Sequence, residues 1–429
     1  MSWYNEVTFY HIYPLGACGA PMYHDGANTD GHRILTLLDW IPHLQELGIG
    51  AVYLGPVFES MSHGYDTVDY TKVDSRLGNK EDLTKVIRAL HDAGIRVVLD
   101  GVFNHVGRGH RFYQDVLEKR DDSPYRWWFS NLRFDWGNPL GDPCVYNNWG
   151  GDWNLVKLEL THPDVRRYLL EVVGQWMDDY EIDGLRLDTA DVLHPDFIRE
   201  LNGYTKSRQE DFWLMGEFMN CANCQMIGPG LLDSITNYEC WKGLYSSINT
   251  RNLFEISYGI NRQTNPEWGM YRGKFLYNFL DNHDQTRIAD QVNDIRALPV
   301  LYTVLLTMPG IPSIYYGSEW GMTGRKGQGA DADLPLRKPL SFEDMTKGDQ
   351  ALMQHIADIT RLRAQSPALQ YGGYKNVLER NMQWAFTREL NGEVKIIAVN
   401  IDEHPFDFHL QYQGRNYVFT LEPWSSNIF

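Results

Sequence analysis

The sequence predicts an α/β protein whose core is a (β/α)8 barrel, also called a TIM barrel. Eight short apolar runs recur along most of the chain, and amphipathic helical patterns lie between them. A doubly wound sheet is the main alternative, but His11–Gly19 after the first run lacks its glycine-rich phosphate-binding turn. Eight strands that alternate with helices therefore favour a closed barrel. The predicted strands are Val7–Tyr13, Ala51–Gly55, Arg96–Asp100, Gly184–Asp188, Phe212–Gly216, Leu231–Ile235, Phe275–Leu280 and Ile311–Tyr316.

Between these strands, apolar side chains recur every three to four residues, as on one face of a helix. Such patterns predict helices over 35–44, Glu81–Ala93, Val165–Trp176 and about Asp349–Ala364. The uncharged stretch Ala297–Gly317 is long enough to cross a bilayer. Because three prolines and Gly310 interrupt it, we predict a helix, a turn and a buried strand there instead.

Two segments depart from the alternating pattern. Residues 107–155 are long, irregular and rich in Trp, Asp, Asn and Gly, which predicts a small domain inserted over the barrel top. The tail alternates like an antiparallel β domain, which predicts a C-terminal all-β sandwich. The predicted tail strands are Val377–Phe386, Glu393–Asn400, Phe406–Tyr412 and Tyr417–Leu421. The predicted segments are 1–106 and 156–366 for the barrel, 107–155 for the insertion and 367–429 for the β domain.

Composition narrows the classes of partner. The 429 residues include 39 Lys and Arg against 56 Asp and Glu, a net charge of −17, which argues against nucleic acid or an anionic membrane as partner. Five cysteines, few and odd in number, favour reduced thiols, and the CxxC at Cys221 and Cys224 lacks a second ligand pair for zinc. No Lys or Arg precedes Arg33, so the basic part of a signal peptide is missing. We expect a soluble, cytoplasmic protein.

Chemically active side chains are concentrated at the carboxyl ends of the predicted strands, where barrel enzymes carry their active sites. The third strand ends in Asp100 and continues to Asn104-His105. The fourth carries Arg186 and Asp188, two residues apart and hence on one face of the strand. The fifth strand ends next to Glu217, and the seventh leads to His283-Asp284. Any one of these alone would be an ordinary hydrogen-bonded residue, but their recurrence at four strand ends predicts one axial site.

This set of side chains suits the cleavage of a glycosidic bond with retention of configuration. The reaction needs two carboxyl groups about 5 Å apart, one nucleophilic and one proton-donating. Arg186 beside Asp188 would lower the pKa of that carboxyl, as a nucleophile requires. A proton donor must keep its proton near neutral pH, which an apolar setting favours, and Glu217 lies beside Phe218 and Met219. Asp284 would hold sugar hydroxyls and respond to positive charge on the ring.

Four segments, LDGVFNH, DGLRLDTA, GEF and FLDNHD, resemble the signature regions of the α-amylase family of glycoside hydrolases, in the family's order. HGYDTVDY and LVKLEL resemble further family segments, and the likeness spans nearly the whole chain. The resemblance implies that Asp188 is the nucleophile, Glu217 the general acid/base and Asp284 the stabiliser of the transition state.

The resemblance also implies roles for residues around these three. Arg186 would orient the nucleophile, with Asp100 as its support. His105 and His283 would bind hydroxyls of the sugar that is cleaved, and Tyr65 would stack on it. In some relatives an Asp and an Arg after strand eight bind the non-reducing side of the substrate. Arg337 matches that arginine, with either Asp331 or Asp333 as the acid.

One departure from the family pattern narrows the substrate. Endo-acting starch amylases carry Lys-His shortly after the nucleophile, and Asp191-Val192 stand there in this chain. The resemblance therefore favours the branches that act on oligosaccharides, such as cyclomaltodextrinases and neopullulanases. The predicted activity is hydrolysis of α-1,4 bonds in maltooligosaccharides, cyclodextrins or starch fragments, with α-1,6 bonds left open. A transglycosylase or glucosyl isomerase on the same scaffold is the alternative. A non-catalytic binding relative is disfavoured because all three acids are present.

The sequence predicts no required cofactor. Calcium is common in the family, often near the asparagine at the place of Asn104, and the acidic insertion offers oxygen ligands. Asp25–Asp30 (DGANTD) faintly resembles a cation loop but does not fit the EF-hand pattern, so a polar turn is favoured. We therefore predict no metal ligands. The oligomeric state stays open, because the related enzymes often carry an extra amino-terminal domain for dimerisation and this chain starts almost directly at the first strand.

Overall fold

A computed structural model describes residues 2–24, 31–220, 224–329 and 331–429. Eight parallel strands, β1–β8, form its central sheet, with each strand paired to the next along the chain. A bridge between Thr236, directly after β6, and Tyr277 in β7 closes the sheet into the predicted barrel. The strands span Phe9–Ile12 (β1), Ala51–Leu54 (β2), Arg96–Gly101 (β3), Gly184–Leu187 (β4), Trp213–Gly216 (β5), Ser234–Ile235 (β6), Tyr277–Asn278 (β7) and Ile311–Tyr315 (β8).

The inside of the barrel is filled by large apolar side chains. Phe9, Val98 and Trp213 are fully buried and belong to one cluster, in which the Phe9 and Trp213 rings lie 4.7 Å apart. A packed interior of this kind leaves no pore, so a substrate has access only to the ends of the barrel.

Helices surround the barrel, and the periodic patterns predicted the main ones. In Lys80–Asp92, Leu83, Val86, Ile87 and Leu90 are buried on one face, and Asn79 caps the first turn by accepting from the Asp82 N–H. The α-helices are Trp3–Glu6, Pro14–Ala17, Ile41–Leu47, Lys80–Asp92, Arg111–Lys119, Pro163–Tyr180, Pro195–Arg208, Tyr238–Asn249, Phe254–Thr264, Ile288–Gln291, Leu298–Thr307, Phe342–Lys347, Gln350–Ala364 and Pro367–Tyr371. The 3-10 turns are Arg33–Trp40, Arg120–Asp122, Ala190–Val192, Cys224–Met226, Ile295–Ala297, Ser318–Trp320 and Leu334–Leu336.

The expectation of a helix after every strand is wrong at one place. Between β5 and β6 the described residues contain the 3-10 turn Cys224–Met226 and no α-helix. The connection is short and contains Gly228, Pro229 and Gly230, which disfavour a helix. Cys221 of the CxxC motif lies outside the described residues.

The uncharged stretch forms the predicted helix, turn and strand. Leu298–Thr307 is a buried helix, Gly310 turns the chain with a φ of 121°, and β8 follows. Among the described residues, no helix has the length and apolar character needed to cross a membrane.

The segment after β3 has its own small sheet. His105–Gly107, Asn148–Trp149 and Asp152–Lys157 form three antiparallel strands in which His105 pairs with Lys157. Helix Arg111–Lys119 belongs to the same segment, and its Tyr113 ring contacts the rings of Phe129 and Tyr146. The sheet includes His105 and Lys157, which lie just outside the predicted bounds 107–155. The four domain boundaries stay a prediction.

Antiparallel sheets form the C-terminal region, as predicted. Strands Gly373–Glu379, Gln383–Leu390, Glu393–Asn400 and Ser425–Ile428 form one sheet, and the hairpin Phe406–Tyr412 and Arg415–Leu421 forms a second. Ala385, Ile396, Phe408 and Leu410 are buried in a shared cluster, which holds the two sheets together as a sandwich. The single strand predicted over 377–386 is wrong, because a turn at 380–382 divides it into two paired strands.

Candidate active site

The barrel strands bring the predicted carboxylates and the arginine to one end of the barrel. Asp100 lies near the end of β3 and pairs in register with Arg186 of β4. Asp188 directly follows β4 and Glu217 directly follows β5, while Asp284 lies in the segment after β7. All of them are at carboxyl ends of strands, as the sequence predicts.

The Arg186 guanidinium joins three carboxylates. Its Nη1 lies 2.9 Å from Asp188 Oδ1 and 2.9 Å from Asp100 Oδ1, and its Nη2 lies 2.7 Å from Glu217 Oε2. Arg186 is 3% exposed, so these contacts are screened little by water. Asp188 and Glu217 therefore face each other across one rigid planar group, which fixes their separation.

One expectation about the Asp188 carboxyl is wrong. The sequence suggested that Arg186 lowers its pKa, but burial raises that pKa well above its usual range, and the nearby Glu217 and Asp100 carboxylates add to the rise. Arg186 opposes the shift without cancelling it, because one cation is shared among three carboxylates. Several carboxylates act on Asp188 together, so the retained proton belongs to the group of carboxyls around Arg186 and not to Asp188 alone.

Asp284 has the opposite electrostatic setting. Burial favours its neutral form, but His283 and Arg337 outweigh burial and hold the pKa of this carboxyl well below its usual range. His283 Nε2 lies 3.1 Å from Asp284 Oδ2, and Arg337 Nη2 lies 2.8 Å from Asp284 Oδ1. Asp284 is therefore ionised at neutral pH.

Two tyrosines support the site. Tyr53 lies in β2, and Tyr65 lies in the loop between the paired antiparallel strands Phe58–Ser60 and Thr67–Val73. Tyr53 and Tyr65 donate to Asp100 Oδ2 over 2.6 and 2.9 Å. The Tyr65 ring lies parallel to the His283 ring at 5.3 Å and borders the main cavity. Tyr65 is thus placed where a sugar ring can stack on an aromatic face.

His105 is held by the first strand of the insertion. Its Nε2 lies 3.0 Å from the Tyr65 carbonyl oxygen, and burial lowers its pKa to about 4. The Trp149 ring, from the second strand of that sheet, is parallel to the His105 ring at 6.4 Å. Both side chains line the main cavity, so the insertion forms one of its walls.

Arg337 reaches the site from the loop after β8. Its Nε donates to the His283 carbonyl oxygen over 3.0 Å, and its Nη2 also contacts Asp333 Oδ2 at 3.1 Å. Of the two acids left open by the sequence, Asp333 is therefore the one that pairs with Arg337. Lys326 contacts Asp333 Oδ1 at 3.0 Å and the Asp284 carbonyl oxygen at 2.9 Å, which ties this loop to the segment after β7.

These groups surround a cavity of about 370 Å³ that opens at the carboxyl end of the barrel. Asp188, Glu217 and Asp284 line it together with Tyr65, His105 and Arg337, whereas Asp100 and Arg186 support it from below. The sequence analysis did not find several further lining residues: Trp149, Thr189, Met219, Tyr238, Gln285 and Lys326. Tyr238 was the easiest to miss, because it follows β6, where no motif drew attention. Its hydroxyl donates to Glu217 Oε1 over 3.3 Å and accepts from the Asn282 amide.

Two further predictions concern the surroundings of the acids. Phe218 beside Glu217 is buried, as an apolar setting requires, but Met219 is 57% exposed at the cavity mouth. Asp191, in the position of the missing lysine, lines the cavity, and burial raises the pKa of its carboxyl.

One group of described side chains has the spacing of metal ligands. His24, Glu59 and Asp74 have ligand atoms within 4.8 Å of one another, but Lys72 and Arg76 already pair with the two carboxylates. That group therefore does not fit a hard cation. Asn104 is fully buried and its Oδ1 has no hydrogen-bond partner in the described residues, yet calcium needs six or more oxygens. Asp25–Asp30 lies outside the described residues, and calcium binding stays a prediction.

A barrel with three acids at its carboxyl end defines a class of glycoside hydrolase, and the family comparison agrees. Residues 27–387 match the family described as "Alpha amylase, catalytic domain", so the chain belongs to the alpha-amylase family of glycoside hydrolases.

The similar proteins point to one part of that family. A maltogenic alpha-amylase from Bacillus acidopullulyticus is 29% identical over 96% of this chain and 72% of its own length. A cyclomaltodextrinase from a Bacillus species is 29% identical over 94% of this chain and 74% of its own length. Among solved structures, the cyclic alpha-maltosyl-(1→6)-maltose hydrolase from Arthrobacter globiformis has a TM-score of 0.87 and 25% identity, covering 100% of this chain and 99% of that one.

Proposed function

We propose that this chain is a retaining hydrolase of α-glucan oligosaccharides. It cleaves α-1,4-glucosidic bonds of maltooligosaccharides, cyclodextrins or starch fragments, and it also accepts α-1,6 bonds. The observation that carries the proposal is the sharing of Arg186 by Asp188 and Glu217, with Asp284 lining the same cavity. Relatives named cyclomaltodextrinase, neopullulanase and cyclic alpha-maltosyl-(1→6)-maltose hydrolase support the range of linkages.

In the first step Asp188 attacks the anomeric carbon. Its Oδ1 is bound by Arg186, which leaves Oδ2 as the attacking oxygen, with only a 3.4 Å contact from Thr189 Oγ1. Glu217 gives its proton to the glycosidic oxygen, the C–O bond breaks with its electrons on that oxygen, and the leaving sugar departs. The product is a glucosyl ester on Asp188.

In the second step Glu217 acts as a base. It takes a proton from water, whose oxygen attacks the anomeric carbon, and the ester bond to Asp188 breaks. Two inversions give net retention. Glu217 gives up one proton in the first step and takes one back in the second, so the enzyme returns to its starting state.

The remaining groups bind and stabilise the reacting sugar. Ionised Asp284 opposes the positive charge that develops on the ring, and His105 holds its hydroxyls. His283, predicted to bind hydroxyls too, does not line the main cavity and acts instead through Asp284 and Tyr65, which its Nε2 contacts. Tyr65 stacks on the ring, while Arg186 and Asp100 orient the nucleophile. Arg337, fixed by Asp284 and Asp333, binds the non-reducing side.

The shape of the cavity favours short substrates. The loop after β8 contributes Lys326, Asp333 and Arg337 to one wall, and their mutual ion pairs make that wall rigid. The cavity lining also includes Asp191, in place of the lysine that holds leaving-side glucose units in endo-acting amylases. Both features support oligosaccharides over long starch chains.

We also propose a cytoplasmic location. The few cysteines, odd in number, and the relative named intracellular maltogenic amylase from Bacillus subtilis, 28% identical, support it.

The test is product chromatography after incubation with maltoheptaose, β-cyclodextrin, pullulan and soluble starch. We expect faster release of short α-configured sugars from the first two substrates than from starch. Inactive Asp188→Asn protein is the matched control for contaminating hydrolases. Longer oligosaccharides that dominate at high sugar concentration would instead assign a transglycosylase. No product from any of the four would overturn the proposed function.

A further inference from the structure

A second, much smaller cavity lies below the catalytic carboxylates, inside the barrel. Its volume is about 20 Å³, which is enough for one water molecule. His11 from β1, Tyr53 from β2 and His283 line it, and Glu217 and Arg186 border it. The mechanism above gives this cavity and His11 no role.

The hydrogen bonds around His283 determine where its ring proton lies. Tyr65 donates its single hydroxyl proton to the Asp100 carboxylate. His283 Nε2 lies 2.5 Å from that hydroxyl oxygen and 3.1 Å from the ionised Asp284 carboxylate, both of which can only accept. Nε2 must therefore carry the hydrogen. In the neutral ring, Nδ1 is then an acceptor.

Nδ1 of His283 is buried and has no hydrogen-bond partner among the described residues. The same is true of Nε2 of His11, whose side chain is 3% exposed. The two rings meet edge to face at 5.1 Å, with the small cavity bordered by both. A buried nitrogen without a partner costs free energy, so two such atoms at one polar cavity call for a shared partner.

His11 is suited to be a neutral donor. Burial, the largest cause, and the Arg186 cation lower its pKa well below the usual range, so the ring is uncharged at neutral pH. Its ring is fixed by stacking on Tyr53 at 4.3 Å and by contact with Tyr315. A neutral imidazole has one N–H, and at Nε2 that group points towards the cavity shared with His283.

We propose that one buried water in this cavity accepts from His11 Nε2 and donates to His283 Nδ1. His11 is then a positioning residue: through the water it holds His283 in the tautomer that presents its N–H to Asp284 and Tyr65. The expected effect on kcat rests on the proposed function, whereas the buried water and the tautomer of His283 do not. The chain of hydrogen bonds joins the barrel interior to the group that stabilises the transition state.

Two substitutions test the kinetic consequence. His11→Phe keeps an aromatic ring of similar shape but removes the donor, so we expect kcat to fall about tenfold with little change in KM, as for loss of one buried hydrogen bond. His11→Gln keeps a polar group at similar reach and should recover most of the lost kcat. His110→Phe is the matched control, because His110 is also buried with an unpartnered Nε2 but lies outside both cavities. It should change the melting temperature and leave kcat unaltered.

Two measurements are independent of activity. A high-resolution crystal structure of the wild-type protein should show one water within hydrogen-bond distance of both nitrogens. Nitrogen-15 NMR of histidine-labelled protein should report His283 as Nε2-protonated, assigned by loss of its signals in His283→Asn, and as a mixture of tautomers in His11→Phe. A dry cavity, or an unchanged tautomer and kcat in His11→Phe, would overturn the proposal. If the wild-type protein cleaves no glucan, the proposed function fails while the water and the tautomer are still measured.

Discussion

Buried arginines lie at both ends of the barrel, but the groups that surround them differ. At the carboxyl end, Arg186 contacts Asp100, Asp188 and Glu217, and these carboxylates raise its pKa although burial opposes the rise. At the amino end, Arg363 and Arg388 lie between the barrel and the C-terminal sheets. In the described residues their hydrogen bonds go to backbone carbonyls, and burial lowers the pKa of Arg363 to about 10.

The carbonyls at the amino end have a clear structural use. Arg388 donates to Thr307 O over 2.5 Å and to Gly372 O over 2.9 Å, and Arg363 donates to Leu369 O over 2.7 Å. Thr307 and Leu369 belong to the last turns of helices Leu298–Thr307 and Pro367–Tyr371. A cation at the end of a helix satisfies orphan carbonyls and interacts favourably with the helix dipole.

The buried arginines serve stability at the amino end of the barrel and activity at the carboxyl end. The carbonyl shell binds both arginines, except for Arg363 Nε, which has no partner in the described residues. It ties the C-terminal region to the barrel, which is a contribution to stability. The carboxylate shell has three acids for one cation, so it retains a proton at a cost in stability, and that proton is what acid–base chemistry needs. Substitutions at the two ends should therefore separate activity from stability.

The largest expected effect is on activity at the carboxyl end. Asp188→Asn removes the nucleophile and Glu217→Gln removes the acid/base, so kcat for maltoheptaose should fall by about four orders of magnitude in each case. Circular dichroism should show an unchanged fold. Azide is a small anionic nucleophile that needs no base, so it can take the place of water in the second step and attack the glucosyl ester on Asp188. It should therefore accelerate Glu217→Gln on an activated glucoside but not Asp188→Asn. Near-normal hydrolysis by either variant would mean that the carboxylate is wrongly assigned.

An arginine can be replaced by methionine at either end, and the two variants should behave differently. Arg186→Met leaves three buried carboxylates without their cation, and kcat should fall roughly 10³-fold. Its melting temperature should also fall, but the deficit should shrink as the pH is lowered, because protonation relieves the uncompensated charges. Calorimetry between pH 5 and 8 measures the trend. A deficit independent of pH would show that charge at this end is not the cause.

Arg388→Met is the counterpart at the amino end. It leaves the Thr307 and Gly372 carbonyls unpaired, so we expect a loss of about 2–4 kcal/mol in the free energy of unfolding and an unchanged kcat. The loss should be independent of pH over the same range, since carbonyls do not titrate. A substantial fall in kcat at temperatures where the variant is folded would show that Arg388 contributes to activity as well as to stability, contrary to the proposal.

The sequence predicted the barrel and the strand-end residues because both follow from local patterns. Apolar runs give the strands, and Asp188 and Glu217 are adjacent to their ends in the chain. The sequence narrowed the acid beside Arg337 to two residues, of which Asp333 pairs with it. The contact of Arg337 with Asp284 and the partnership of His11 with His283 join distant segments without a motif and were not predictable. The net pKa shift of Asp188 was predicted with the wrong sign, because the strand pattern reveals neither how deeply this carboxyl is buried nor how many carboxylates share Arg186. The hairpin turn at 380–382 was missed because it contains neither Gly nor Pro.

The smallest expected effect is a gain in stability at the carboxyl end. The folded state raises the pKa of Asp188, so the folded protein binds this proton more tightly than the unfolded chain. Stability is then largest below the unfolded pKa near 3.8 and decreases as the pH rises through the raised folded pKa, where a buried charge must form. Asp188→Asn stays neutral, and its melting temperature at pH 8 should exceed that of the wild type by roughly 2 °C or more. The gain should shrink towards acid pH, whereas Asp191→Asn, a partly exposed control with a smaller rise, should gain less. An Asp188→Asn protein that is less stable than the wild type at pH 8 would mean that Arg186 does compensate the charge of this carboxylate. The carboxyl end would then not lower the stability of the protein, as we propose it does.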